Sequence, residues 1–350
     1  SALATGSVLA PLVVPRFALP QAISPGQMDA SYNRNSVVQR GQGATLVANL
    51  ANLPKPACVA DFGCGPGNNS VPALDAIFEA GQRQKAFMVD VQDQDDLWRQ
   101  LEEVLSGFVG RGLELELVRS SFYEPLHSAI ADSQLDAAWC SVAAHWLPTL
   151  PTKMREGVVG NQLPDGPDRE AWRAAADRAW FSFLRLRARE VRSGGHLVVA
   201  MPGLDVEDGA YVATRAWGVF AEIKSRMLRD GEIDCGQAER LATREYWRTE
   251  AELRGPIEAE GSWAVASYEL ERKPCPFLTK LQSETDAMTR GHFAAQVGKA
   301  FQGFLSTEFN AALGAAAGAF WAEVETRAVQ QADDLALHVV MHQVVLIRKD

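Results

Sequence analysis

The sequence predicts an α/β protein: a mostly parallel sheet carrying an inserted helical cap. Three observations lead there. A short apolar run, Cys58-Val59-Ala60-Asp61-Phe62, leads straight into the glycine loop Gly63-Cys64-Gly65-Pro66-Gly67, and an apolar helical pattern follows from Ser70 to Ala80. Strand, glycine loop and helix in that order form the first half of a nucleotide-binding α/β unit. Further strand-like runs then alternate with helix-like ones, which implies parallel pairing. Finally, three stretches, residues 151–190, 204–258 and 274–332, are too long for simple crossovers and mostly helical in pattern. They are assigned to the cap, residues 25–350 to one domain, and residues 1–24 to an N-terminal tail.

The elements follow in order. Val37, Val38 and Leu46 recur at near-helical spacing between Asn35 and Leu50, and Pro54 and Pro56 end that helix. Ala86-Phe87-Met88-Val89 is a buried strand closed by Asp90, and Asp95 to Val109 reads as a helix. Leu113 to Val118 alternates apolar residues with Glu114 and Glu116, the signature of a half-exposed strand. Leu135 to Ser141 is another buried strand, with His145-Trp146 just past its end. A long helix covers Arg169 to Val191, and Gly194-Gly195 opens the strand His196 to Met201. Trp263 to Glu271 and His338 to Arg348 complete the set of strands. The apolar run from Val8 to Pro20 is broken by Pro11, Pro15 and Pro20 and has no basic residues before it, so neither a membrane span nor a secretory signal fits; a docked or disordered tail is expected.

Composition narrows the function. Of 350 residues 47% are hydrophobic, enough for a sizeable core, while a formal charge of −10 and the lack of a basic run argue against nucleic-acid binding. The five cysteines, Cys58, Cys64, Cys140, Cys235 and Cys275, are scattered with no CxxC pair, which reads as reduced thiols in an intracellular protein. The histidines lack a metal-like grouping, since His338 and His342 would share one face of a strand without a third ligand, so no metal site is assigned.

The loop carries the chemistry. Asp61 to Gly67 has the form D-x-G-x-G-x-G. Its glycines allow a sharp turn and a close backbone approach to a ligand. The dinucleotide fingerprint G-x-G-x-x-G does not fit, because Asn68 stands where its third glycine belongs. Asp61 would moreover repel a pyrophosphate. A carboxylate there suits a ligand with a nearby cation, such as the α-ammonium of S-adenosylmethionine, and Asp90 at the end of the next strand can accept both ribose hydroxyls. An NAD-dependent oxidoreductase and a catalytically silent binding module are the weaker readings of the same loop.

With those residues placed, the chain resembles the SABATH family of S-adenosylmethionine-dependent carboxyl methyltransferases, which act on acids such as salicylate, benzoate, jasmonate and indole-acetate. Ser31-Tyr32-Asn33-Arg34-Asn35-Ser36-Val37-Val38-Gln39-Arg40 resembles the family's S-Y-x-x-N-S-x-x-Q-R, and Asp61 to Asn69 its D-x-G-C-x-x-G-x-N loop, with Gly65 in place of Ser. Ser121-Phe122-Tyr123, His145-Trp146-Leu147 and the strand entry from Phe183 to Val198 match further family segments. Tyr246 to Glu252 matches Y-x-P-S-x-E-E loosely, without its Pro.

The resemblance implies a Rossmann-like class I methyltransferase with a seven-stranded sheet, binding S-adenosyl-L-methionine and releasing S-adenosyl-L-homocysteine. It implies cofactor contacts from Tyr32, Ser36, Asp61, Gly63, Gly65, Asn69, Asp90, Val91, Ser121 and Phe122. Gln39 and the indole N–H of Trp146 would hold the substrate carboxylate, with Val142, His145 and Trp217 shaping the pocket. Val142 stands where salicylate-type members have Tyr, so their substrate is not carried over. The reaction implied is methyl-ester formation on a small organic acid; N-, O- or S-methylation of another small molecule on the same scaffold is the alternative. A homodimer in the cytoplasm, without nucleic-acid or membrane partners, is expected.

That chemistry needs little from the protein. A carboxylic acid is already ionised at neutral pH, so the reaction requires alignment in a dry cavity and no general base. Two neutral donors, Gln39 and Trp146, can orient a carboxylate without an ion pair that would blunt it. His145 reads as a pocket or core histidine making one hydrogen bond; a substrate-shaping role, or a general base for a hydroxyl, amine or thiol nucleophile, are its other readings.

Overall fold

The structure is a computed structural model that describes residues 43–91, 95–204, 212–273, 283–284, 286–331 and 339–350. In chain order its elements are α1 (Ala44–Ala51), β1 (Cys58–Phe62), α2 (Ser70–Ile77), β2 (Gln84–Asp90), α3 (Asp95–Val109), β3 (Leu113–Arg119) and β4 (Leu135–Ser141). Then come α4 (Pro167–Glu190), β5 (Val191–Pro202), α5 (Val212–Arg229), α6 (Cys235–Arg240), α7 (Glu250–Glu260), β6 (Trp263–Lys273), α8 (Ala287–Leu313), α9 (Ala317–Gln330) and β7 (Val339–Arg348).

The strands form one seven-stranded sheet in the order β3-β2-β1-β4-β5-β7-β6. β3, β2, β1, β4 and β5 pair in parallel. β7 runs antiparallel to both β5 and β6, so the parallel character stops at β5. The order reverses between β1 and β4, whose carboxyl ends form the crevice where doubly wound sheets bind ligands.

Alternation along the buried strands feeds a core on each face. On one face Val59, Met88, Trp139, Val198 and Ala200 pack against Leu74 and Ile77 of α2 and Trp98, Leu101 and Leu105 of α3. On the other, Ala60, Phe62, Phe87, Cys140, Leu197 and Val199 meet Trp180, Phe183 and Leu184 of α4 and Leu253 and Ile257 of α7. α4 and α7 fall inside the segments assigned by sequence to the cap, yet both cover the sheet. Their apolar stripes are visible in the sequence, but a stripe does not say which surface it covers.

The cap has its own core. Trp217, Phe220, Ile223 and Met227 of α5 pack with Leu305 and Phe309 of α8 and with Phe320, Trp321 and Val324 of α9. Lys224 ties it to the loop after β4: its buried ammonium donates to the carbonyl oxygens of Met154 (2.8 Å), Gly157 (2.8 Å) and Leu241 (3.1 Å).

Two boundaries differ from the sequence expectation by three residues or more. α2 stops at Ile77, where Phe78 turns extended. β5 begins at Val191, five residues before His196, because Val191 already pairs with Leu135. The left-handed Gly194 (φ 71°) and the register shift opposite Asp136 absorb the extra chain.

Candidate active site

The loop after β1 is built by backbone bonds to the end of β2. Gly63 N–H donates to the Val89 carbonyl (2.8 Å), as does Cys64 N–H (3.3 Å), and Gly65 N–H donates to Asp90 Oδ2 (2.7 Å). Gly63 and Gly67 have φ of 85° and 91°, a region that costs an L side chain energy. Space excludes a side chain as well: a Cβ on Gly63 would lie 2.3 Å from Ala143 Cβ, and one on Gly67 2.4 Å from Leu101 Cδ1. The first of these contacts brings the turn after β4 against the glycine loop.

Asp61 ends β1 beneath this loop, buried, with Ser70 Oγ donating to its Oδ2 at 2.6 Å. Burial is the main cause that pushes its carboxyl up to about 7, against the hydrogen bonds from Ser70 and Trp139; nearby Asp90 adds to the rise. Asp61 Oδ1 and Asn69 Oδ1, two acceptors buried beside the same loop, have no hydrogen-bond partner among the described residues. A buried carboxylate oxygen is costly without a donor, and a ligand ammonium supplies charge and donors together. This pair of acceptors, the glycine cradle and Asp90 therefore fit S-adenosylmethionine.

Phe122 lies against the same loop, its Cε1 3.3 Å from where a Gly63 Cβ would be. Its ring packs on Phe183 (centroids 5.6 Å apart), and its carbonyl accepts from the buried Arg187 guanidinium at 2.7 Å. Ser121 Oγ accepts from Tyr123 N–H at 3.1 Å. Val91, half-buried, follows Asp90 at the end of β2.

The turn after β4 is held in an unusual backbone. Val142, a β-branched residue, has φ 54° while its N–H bonds the Ala200 carbonyl at 2.7 Å. Such strain costs about 1–3 kcal/mol and persists only where neighbours enforce it. Two side chains do so here. Tyr123 Oη donates to the carbonyls of Ala144 (3.1 Å) and Trp146 (2.8 Å), and buried Arg248 donates to those of Ala144 (3.2 Å) and Ala176 (2.7 Å). His145 is buried, its Nδ1 has no partner among the described residues, and burial with nearby Arg248 holds its pKa down at about 3. It is a neutral imidazole throughout the physiological range. The half-buried Trp146 indole packs against the cap core.

Thus Asp61, Gly63, Gly65, Asn69, Asp90 and Phe122 gather around one loop, with Val142 and Trp146 on the turn that touches it. Trp217 is 3% exposed, with its ring beside Trp247 (6.2 Å) and Phe301 (5.4 Å). Tyr32, Ser36 and Gln39 lie outside the described residues. Sequence reasoning gave no role to Tyr123, Arg248 or Glu245. Glu245 pairs across an isolated bridge with Trp146, a neighbour that no local pattern reveals.

The sheet order, the glycine loop with its acid and the cap define a class of protein: a class I methyltransferase that uses S-adenosylmethionine. Comparison with known proteins narrows it. The family model described as SAM dependent carboxyl methyltransferase matches residues 21–349. The S-adenosyl-L-methionine:benzoic acid/salicylic acid carboxyl methyltransferase 2 of Petunia hybrida is 24% identical over 280 residues, 71% of this chain and 77% of its own. Indole-3-acetate O-methyltransferase 1 of Oryza sativa subsp. japonica is 24% identical over 359 residues, 89% of this chain and 87% of its own. A solved structure of loganic acid methyltransferase with S-adenosylhomocysteine superposes with a TM-score of 0.74 at 19% identity, covering 93% of this chain and 99% of that one, which shows the shared fold.

The chain belongs to the SABATH family of S-adenosylmethionine-dependent carboxyl methyltransferases. Its reaction is methyl transfer from S-adenosylmethionine to the carboxylate of a small organic acid.

Proposed function

We propose that the acid is held between Gln39 and Trp146 on the turn after β4, facing a cofactor seated on the loop after β1. Tyr32, Ser36, Asp61, Gly63, Gly65, Asn69, Asp90, Val91, Ser121 and Phe122 form the cofactor site in this reading. Asp61 and Asn69 take the ammonium end, Asp90 the ribose and Phe122 the adenine. S-adenosylmethionine, when bound, supplies a methyl group on a positively charged sulfur. The protein then has three tasks. The Gln39 amide and the Trp146 indole N–H donate to the carboxylate and fix its direction. Val142 and His145 shape the wall beside it, and the cap, with Trp217 in its core, keeps water out. No proton has to move, and the neutral His145 agrees with that.

The observation that supports this most is the closeness of Ala143, on the turn that carries Trp146, to Gly63 of the loop after β1. Placement of this kind can contribute about 7–11 kcal/mol towards a two-reactant step. The reading also takes residues 25–350 as one capped domain acting as a homodimer in the cytoplasm. It is supported there by the family resemblance; separately, no helix among the described residues is long and apolar enough to cross a membrane. A panel of aromatic, indolic, terpenoid and aliphatic acids with methyl-labelled S-adenosylmethionine tests the function. At least one acid yields a labelled ester that alkali hydrolyses. Label transferred only to amines, thiols or ring nitrogens contradicts it.

A further inference from the structure

The loop between α6 and α7 runs alongside the turn after β4. Leu147 N–H donates to the Arg244 carbonyl (2.8 Å) and Tyr246 N–H to the His145 carbonyl (3.0 Å), which makes Trp146 and Glu245 the facing pair of an antiparallel bridge. Residues in a non-hydrogen-bonded pair of this type stand about 4.5 Å apart with side chains on the same side. Glu245 therefore projects on the side of the Trp146 indole, and Trp247, two residues on, shares that side. Trp247 Nε1 donates to Glu245 Oε2 at 3.2 Å, and the Trp247 ring lies beside that of Trp217. Asn161 fixes this strand-like segment by bonding the Trp247 backbone twice, accepting from its N–H and donating to its carbonyl, both at 2.9 Å.

Glu245 is 5% exposed. The Trp247 indole is the hydrogen-bond partner of its carboxyl among the described residues, and the cation nearest in sequence, Arg244, is bound instead to Glu308 at 2.6 Å. A carboxyl bonded to the Trp247 indole and facing Trp146, the acid-binding indole, would repel the substrate if it were ionised. Burial, with Glu308 nearby, pushes it up to about 8, so at neutral pH it is protonated and can both give and take a hydrogen bond. Trp247 Nε1 holds one of its oxygens, Oε2.

We propose that Glu245 is a specificity-determining residue that hydrogen-bonds a hydroxyl on the substrate, so that the preferred acid carries a hydroxyl away from its carboxylate. The inference rests on the proposed placement of the acid at Trp146. An aromatic pocket distinguishes acids weakly by size, whereas a buried polar group left without its partner rejects the analogue that lacks it.

The test uses pairs of acids differing by one hydroxyl: phenylacetate and 4-hydroxyphenylacetate, cinnamate and 4-coumarate, indole-3-acetate and 5-hydroxyindole-3-acetate. In the full-length enzyme at least one hydroxylated acid exceeds its parent about tenfold or more in kcat/KM. Glu245→Met brings that ratio to about one while S-adenosylhomocysteine still binds with unchanged Kd, and Glu245→Gln, which keeps a neutral group able to give and take a hydrogen bond, retains most of it. Should the Met variant not fold, Glu245→Ala carries the same comparison. A wild-type ratio of one or less in every pair, or a ratio unchanged in the Met or Ala variant, overturns the proposal and leaves carboxylate methylation standing. If none of a wide range of acids is esterified although the cofactor binds, the placement at Trp146 falls, and this inference with it.

Discussion

Protonation of Asp61 should control cofactor binding. In the free protein its carboxyl rises from the ordinary 3.8 to about 7, chiefly through burial. That rise corresponds to about 4 kcal/mol against the ionised form. The sign follows from proton counting. Between pH 4 and 7 the folded chain holds a proton that the unfolded chain has released, so this group's contribution to stability is greatest at low pH and is lost as pH rises through about 7. A ligand ammonium beside Asp61 Oδ1 reverses the preference, because it pairs with the ionised carboxylate. Binding then requires Asp61 to give up its proton first. For a group titrating at about 7, the apparent Kd at pH 5 is about fifty-fold weaker than at pH 7, and above about 8 the ligand's own amino group loses its charge. Calorimetric titration with S-adenosylhomocysteine from pH 5 to 8.5, in two buffers of different ionisation enthalpy, reads both the Kd and the proton release. About one proton should leave per ligand bound at pH 5.5, and Asp61→Asn should flatten the profile. A wild-type Kd that changes less than threefold between pH 5 and 7, with no proton release, would refute the assigned role of Asp61.

Other consequences follow from the same geometry. Gly63→Ala places a methyl 2.3 Å from Ala143 Cβ at a φ of 85°, so it should cost about 2–4 kcal/mol in urea denaturation and weaken cofactor binding; a loss under 1 kcal/mol would show that the loop yields easily. Asn161→Leu leaves the buried Trp247 N–H and carbonyl without their partners and should cost about 2–4 kcal/mol, with kcat/KM falling further than cofactor affinity. Because the acid arrives ionised and His145 is neutral down to about pH 3, kcat with both substrates saturating should be flat from pH 6 to 7, below the range where Glu245 ionises. A limb in that range that His145→Asn removes would make the imidazole a base.

The sheet was legible because its central strands are short apolar runs cut by glycine, proline or an acid and β3 alternates apolar residues with glutamates, and the helix after β2 was legible from its amphipathic spacing. Cys58–Phe62, Asp95–Val109 and Leu135–Ser141 have the same bounds in sequence and structure. The partner of a helix was not legible. Leu253 and Ile257 of α7 look like cap residues until the fold shows them against Phe62 and Val199 on the sheet. The glycine loop after β1 could be read residue by residue, since its glycines and Asp61 are neighbours in the chain. The turn after β4 could not: Tyr123, Arg248 and Glu245 meet it through contacts distant in sequence, and the core that holds Trp217, Phe309 and Trp321 joins three separate helices. The strain at Val142 is likewise invisible in a valine.

The central claim is that an amide and an indole aim a carboxylate at the cofactor loop. Its most direct test separates binding of the cofactor from turnover in Gln39→Ala and Trp146→Phe, using the best acid from the panel. Each variant should lose about a hundredfold or more in kcat/KM while the Kd for S-adenosylhomocysteine moves less than threefold. Variants that turn over at wild-type rates, or that lose cofactor affinity as fast as activity, would contradict the account.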